Sequence, residues 1–178
     1  EPDIPPLEIA PGWIKAFRVR VPELPLAKKR RLMAEYDIRP YDAALLVSDQ
    51  RVADYFEAAA GIARTQGIVP QDVANWVTGE LFRILNATAT PIDACKTTPG
   101  HLAALLAFVQ QGTVSVTAAK TVLGAMCETG EFPDAIIARL GLAQISGADA
   151  LATIVHDVIE ANPGQVQQYL NGKTNILG

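Results

Sequence analysis

The chain has 178 residues, is 49% hydrophobic and only 6% aromatic, and carries a net charge of −4. That length and apolar share allow a buried core and argue against disorder over most of the chain, while no apolar run nears the ~20 residues of a membrane span and none of the sequence reads as a signal peptide. The excess of acid excludes a surface that attracts nucleic acid by net charge alone.

Residues 1–12 hold four prolines, Pro2, Pro5, Pro6 and Pro11, and read as extended and linker-like. Between Ile14 and Arg39 eight cations meet three acids, a local +5, against −6 over residues 40–178 and −3 over residues 1–13. Helical periodicity takes over from there. Val52, Tyr55, Phe56 and Ala59 fall at i, i+3, i+4, i+7, with Ser48 expected as N-cap and Asp49 in the first turn. Val73, Trp76, Val77, Leu81, Ile84 and Leu85 form a second stripe, expected to start at Pro70. Thr98 caps a helix with Pro99 at its first position, Leu102, Leu105, Leu106 and Val109 on its apolar side and Gly112 at its end. Ser115 caps the stripe Val116, Ala119, Leu123, Met126, which Gly130 stops, and Pro133 opens a short helix. Leu151, Ile154, Val155, Val158 and Ile159 make the last strong stripe, halted by Asn162-Pro163, and Val166, Tyr169 and Leu170 predict one more short helix. Strand-like alternation and fixed-period repeats are missing from the pattern. The fold class expected is all-α, an irregular bundle of about six to eight helices.

Several runs carry a family resemblance. Tyr41-Asp42-Ala43-Ala44-Leu45-Leu46-Val47-Ser48-Asp49 is followed by Val52-Ala53-Asp54-Tyr55-Phe56-Glu57-Ala58-Ala59, and after one loop by Asn75-Trp76-Val77-Thr78-Gly79-Glu80-Leu81. Together they resemble the helical region of the B subunit of the tRNA-dependent amidotransferases. Pro2-Asp3-Ile4-Pro5-Pro6-Leu7 looks like that family's exit from its catalytic cradle domain. Leu24-Pro25, Tyr36 and Arg39 fit the next stretch of the family pattern, and Gly112-Thr113-Val114-Ser115, Ala118-Ala119-Lys120 and Glu128-Thr129-Gly130 fit further on. Gly141-Leu142-Ala143-Gln144-Ile145-Ser146 and Asn162-Pro163 through Gly172-Lys173 match the start of its tail domain. Gly147-Ala148 departs from the pattern, since the family more often has an acidic residue there; the change weakens a helix cap at most.

The resemblance implies a division into an extended exit over 1–12, a helical domain over 13–143 and the start of a truncated tail domain over 144–178. The ending Asn175-Ile176-Leu177-Gly178 falls in mid-motif, so the sequence is expected to be a C-terminal piece of a longer subunit. The family converts Glu-tRNA(Gln), and in some members Asp-tRNA(Asn), to the amide form. Its cradle activates the carboxylate with ATP and Mg²⁺, and a partner subunit supplies ammonia from glutamine. The resemblance therefore implies no catalytic residue and no cofactor in these residues. Implied partners are tRNA(Gln), tRNA(Asn), and the amidase (A) and small (C) subunits, in a cytoplasmic setting without a membrane.

Candidate sites are few. Lys28-Lys29-Arg30-Arg31 is the sharpest charge cluster; four consecutive helical positions spread around the whole helix, so they cannot all meet one ligand. Two readings stand: a solvated helix whose long side chains cover apolar surface, and phosphate attraction with little sequence specificity. Tyr36 and Tyr41 are the only nearby rings able to stack a base, and Trp76 reads as core. Lys120, Arg139 and Lys173 are the cations on the tail-side helices and loops and the further candidate tRNA contacts. Gly172-Lys173-Thr174 imitates the end of a phosphate-binding loop, but Gln167 stands where the motif needs glycine. His101 and His156 are isolated, and Cys95 and Cys127 lie far apart without a CxxC pattern; no metal is implied, and the thiols read as free and partly buried. The second functional class open to such a chain is a helical protein–protein docking module without RNA binding of its own.

Overall fold

The structure, a computed structural model, describes residues 12–13, 22–144 and 148–172, with the side chains of 148–154 left aside. The proline-rich opening, Lys173 and the departure at Gly147 lie outside the described residues. Among those described, all regular structure is helical.

Among the described residues from Pro25 to Leu170, ten α-helical segments follow one another. They are α1 (Pro25–Tyr36), α2 (Pro40–Leu46), α3 (Gln50–Thr65), α4 (Pro70–Asn75), α5 (Phe82–Ala87), α6 (Pro99–Gln110), α7 (Val116–Thr129), α8 (Pro133–Leu140), α9 (Ala148–Ala161) and α10 (Pro163–Leu170). A π-helical turn over Trp76–Leu81 joins α4 to α5 without a break, and a 3₁₀ turn over Ile92–Ala94 precedes α6. Proline opens α1, α2, α4, α6, α8 and α10 at the first helical turn, where its missing N–H costs nothing. Helices α1 and α2 are the ones that periodicity did not announce: α1 carries four consecutive cations at its middle, and the seven residues of α2 are too short to display a stripe.

The caps are mostly those expected. Thr98 accepts from the His101 N–H, and Ser115 from the Ala118 N–H. Gly130 ends α7 with φ 79° and Gly141 ends α8 with φ 62°, left-handed positions that suit glycine. Ser48 is a correction. Its hydroxyl donates back to the Leu45 carbonyl and closes α2, while Asp49 caps α3 by accepting from the Arg51 N–H at 2.8 Å. The carboxylate also takes the Arg51 guanidinium at 2.6 Å, a charged grip that a serine hydroxyl cannot match.

The core lies along α3 and α6. Phe56, Leu102, Leu105 and Leu123 are wholly buried, and Ala53, Ala59, Ala60, Ala63 and Ala103 are small enough to let the two helices close on each other. Tyr36 meets Phe56 edge-on at 5.4 Å between ring centroids. Helix α4, the π turn and α5 bring Val73, Val77, Leu81 and Leu85 into the same core. These four stand at successive intervals of four residues, more than the 3.6 of an α-helix, and their stripe would drift round a regular helix. The wider π turn takes up the drift.

Helices α9 and α10 pack against each other. Val155, Val158 and Ile159 of α9 and Leu170 of α10 are nonetheless exposed, at 54%, 56%, 47% and 74%.

Candidate nucleic-acid interface

The cation cluster of α1 is divided by its own helix. Lys28 and Arg31, three residues apart, share the inward side, while Arg30 is exposed and Lys29 half-buried. Lys28 is only 8% exposed and donates to Asp54 of α3 at 2.5 Å, with Glu57 at 3.6 Å. Arg31 reaches Glu23 at 2.8 Å, Glu35 at 3.1 Å and Glu57 at 2.5 Å. The Arg31 guanidinium holds the Glu23 carboxyl below its usual range. Half of the cluster thus tethers α1 to α3. This revises the picture of a solvated helix: Lys28 is buried against carboxylates. Lys29 and Arg30 form no ion pair among the described residues.

Two further cations read as tRNA contacts are also engaged within the chain. Lys120 of α7 meets Glu80 of the π turn at 2.5 Å, and Arg83 meets the same carboxylate at 3.1 Å. Arg139 of α8 meets Glu131 at 2.6 Å. Lys120 and Arg139 keep about half of their side-chain surface open, at 46% and 51%. Exposed pairs of this kind hold by about 1 kcal/mol or less, so a phosphate can compete for the cation. Lys28, Lys120 and Arg139 each sit on a different helix with its own acidic partner.

Of the rings that could stack a base, Tyr41 is 73% exposed, Tyr36 is engaged with Phe56 and with Arg64 (5.8 Å over its face), and Trp76 packs on the core as expected. His101 stacks edge-on against Phe132 at 4.9 Å, and His156 faces Glu160 on the open side of α9. No group of three potential metal ligands occurs among the described residues. Gly172, with φ 92°, closes the turn after α10.

Two arrangements were not legible beforehand. Arg39, Asp42, Gln71 and Asn75 form a polar hub joining α2 to α4. Arg39 donates to Asp42 at 2.8 Å and to Asn75 at 2.6 Å, and Gln71 donates to Asp42 at 2.8 Å. The i, i+3 spacing of Arg39 and Asp42 around Pro40 was the available signal. The other is a cleft of about 500 Å³ between α5 and α7, into which both Cys95 and Cys127 open. Nothing in their spacing announces that meeting.

Residues 54–178 match a family model described as GatB domain. The chain belongs to the GatB family. Curated relatives agree along its length. The B subunit of an aspartyl/glutamyl-tRNA(Asn/Gln) amidotransferase from Myxococcus xanthus is 42% identical over 178 residues, covering 100% of this chain and 36% of the relative. Proteins of the same description from Roseiflexus castenholzii and Carboxydothermus hydrogenoformans are 39% and 41% identical, covering 99% and 100% of this chain and 37% and 36% of theirs. The chain thus spans little more than a third of the relatives it matches. The π turn and, apart from Gln71, the polar hub are built from residues that carried the resemblance: Arg39, Asp42 and Asn75 through Leu81. In this member of the GatB family those residues do structural work.

Proposed function

We propose that this chain is the tRNA-handling, non-catalytic portion of an amidotransferase B subunit. The observation that carries the reading is similarity along the whole chain to relatives named for aspartyl/glutamyl-tRNA(Asn/Gln) amidation. The ATP- and Mg²⁺-dependent activation belongs, on this reading, to the parts of those relatives that the chain does not align with. The partners are tRNA(Gln), tRNA(Asn), and the amidase and small subunits of the complex, in the cytoplasm. No helix among the described residues is long and apolar enough to cross a membrane.

The helices would hold tRNA by shape and backbone, since an A-form major groove hides its bases. Scattered, surface-paired cations suit that task better than a dense basic patch, because each exchanges one carboxylate for one phosphate. Lys120 and Arg139 are the described residues proposed to do so; Lys29 and Arg30 are proposed to meet phosphate directly, with Lys28 and Arg31 fixing the helix that carries them. Lys173 is proposed alongside them from the sequence. The test is binding to tRNA(Gln) and to an unrelated tRNA across a salt series. Affinity that favours tRNA(Gln) and falls linearly in log–log form with salt supports the reading. No binding at low salt overturns it for this chain.

A second reading has its own observation. Val155, Val158, Ile159 and Leu170 expose apolar surface on α9 and α10, as a helical docking module would. Docking of that kind changes little with salt.

A further inference from the structure

We propose that Cys95 and Cys127 are a dithiol site that small disulfides oxidise to an intramolecular bond. Cys95 ends the 3₁₀ turn before α6, and Cys127 lies in the last turn of α7. The two half-buried thiols open into the same cleft of about 500 Å³. Thr97, wholly buried, donates its hydroxyl to the Cys127 sulfur at 3.3 Å and fixes the segment that presents Cys95. Tyr55 secures that segment from behind, donating to the Thr97 and Thr98 carbonyls at 3.1 and 3.2 Å. The Cys127 thiol beside it and then the Thr97 backbone N–H hold the Cys95 thiol below the usual thiol range, while Cys95 and burial push the Cys127 thiol up. The charged groups around the pair are Lys96, Arg83 and Glu128 at the cleft. Lys96 donates to the Glu128 carbonyl at 2.6 Å.

This asymmetry assigns an order. The Cys95 thiolate attacks one sulfur of a small disulfide and expels the other as a thiolate, which takes up a proton. The resulting mixed disulfide has room in the cleft. Cys127 then loses its proton and attacks the Cys95 sulfur, expelling the second small thiolate. The two cysteines are oxidised, one small disulfide is reduced to two thiols, and α7 is tied to the loop entering α6. None of the described cations proposed to meet tRNA lines this cleft.

The probe is oxidised glutathione added to the whole protein, read by intact mass and peptide mapping. The expected result is loss of both thiols together, no retained glutathione, and a linked pair of peptides bearing Cys95 and Cys127. In Cys127→Ser, glutathione stays attached at Cys95; in Cys95→Ser, modification is at least tenfold slower. Circular dichroism confirms that each variant is folded, and the unsubstituted protein decides the matter alone if either is not. Persistence of both thiols, separate glutathionylation of each, or only intermolecular links overturns the proposal.

Discussion

Arg39 donates its Nε to the Oδ2 of Asp42 at 2.8 Å, although the arginine side chain is 65% exposed and the aspartate side chain only 5%. The pair is therefore lopsided. Removing the arginine leaves a buried carboxylate with Gln71 as its remaining side-chain donor, whereas removing the aspartate strands a guanidinium that water can solvate. Arg39→Ala should cost about 2–3 kcal/mol and Asp42→Ala about 1–2 kcal/mol. Urea unfolding of both decides it, and a larger loss for Asp42→Ala would refute the asymmetry.

Phe56 is fully buried between α1 and the α3–α6 core. Phe56→Ala should cost about 3–5 kcal/mol, from lost transfer energy and a cavity that the small neighbours cannot fill. A loss of unfolding free energy of less than half that size would mean that the core collapses around the gap.

Tyr55 gives an alkaline signature. Burial, and next the charges of Cys95 and Cys127, push its phenol well above the ordinary range. A raised folded-state value means the stabilisation is complete below the unfolded value of ~10 and is lost as pH rises beyond it. Tyr55→Phe should cost about 1 kcal/mol near neutrality. The gap between the two proteins should narrow above pH ~10; unfolding curves at pH 8 and above that point would show it, and a constant gap counts against the assignment.

Glu80 separates clamp from contact. Lys120 and then Arg83 hold its carboxyl below the usual range, so its stabilisation is present above ~4.3 and lost as pH falls through the folded value. Glu80→Gln should flatten that acid limb and cost no more than about 1 kcal/mol at neutral pH. If Lys120 meets phosphate, the same change should strengthen tRNA binding several-fold, and Lys120→Ala should lower the salt slope by about 1. An unchanged slope would leave Lys120 as a clamp alone.

The helices were legible because their signals are local. Thr98-Pro99, Ser115 and Gly130 each fix a boundary from a few neighbouring atoms, and the structure repeats them. The ion-pair geometry was not legible, because it depends on which helix lies opposite. Lys28 and Lys29 are identical in sequence terms, yet α3 places Asp54 and Glu57 against only the first. Cys95 and Cys127 meet for a similar reason: the loop before α6 returns to the end of α7, a tertiary event that spacing does not encode. The GatB resemblance was readable because it rests on long runs rather than single residues.

The joined α4–α5 helix contains one residue more than its core requires. A regular helix would seat four inward side chains at intervals of four, three and four; this one uses four, four and four, and the π turn stores the surplus. Gly79 lies in that turn, is exposed, and has no atom within contact distance of the place a side chain would occupy. Deleting it would let the turn shrink to an ordinary α turn with Val77 and Leu81 still seated, so a chain one residue shorter could build the same core. The bulge is thus a tolerance in the length of the chain, placed beside the carboxylate that ties this helix to α7.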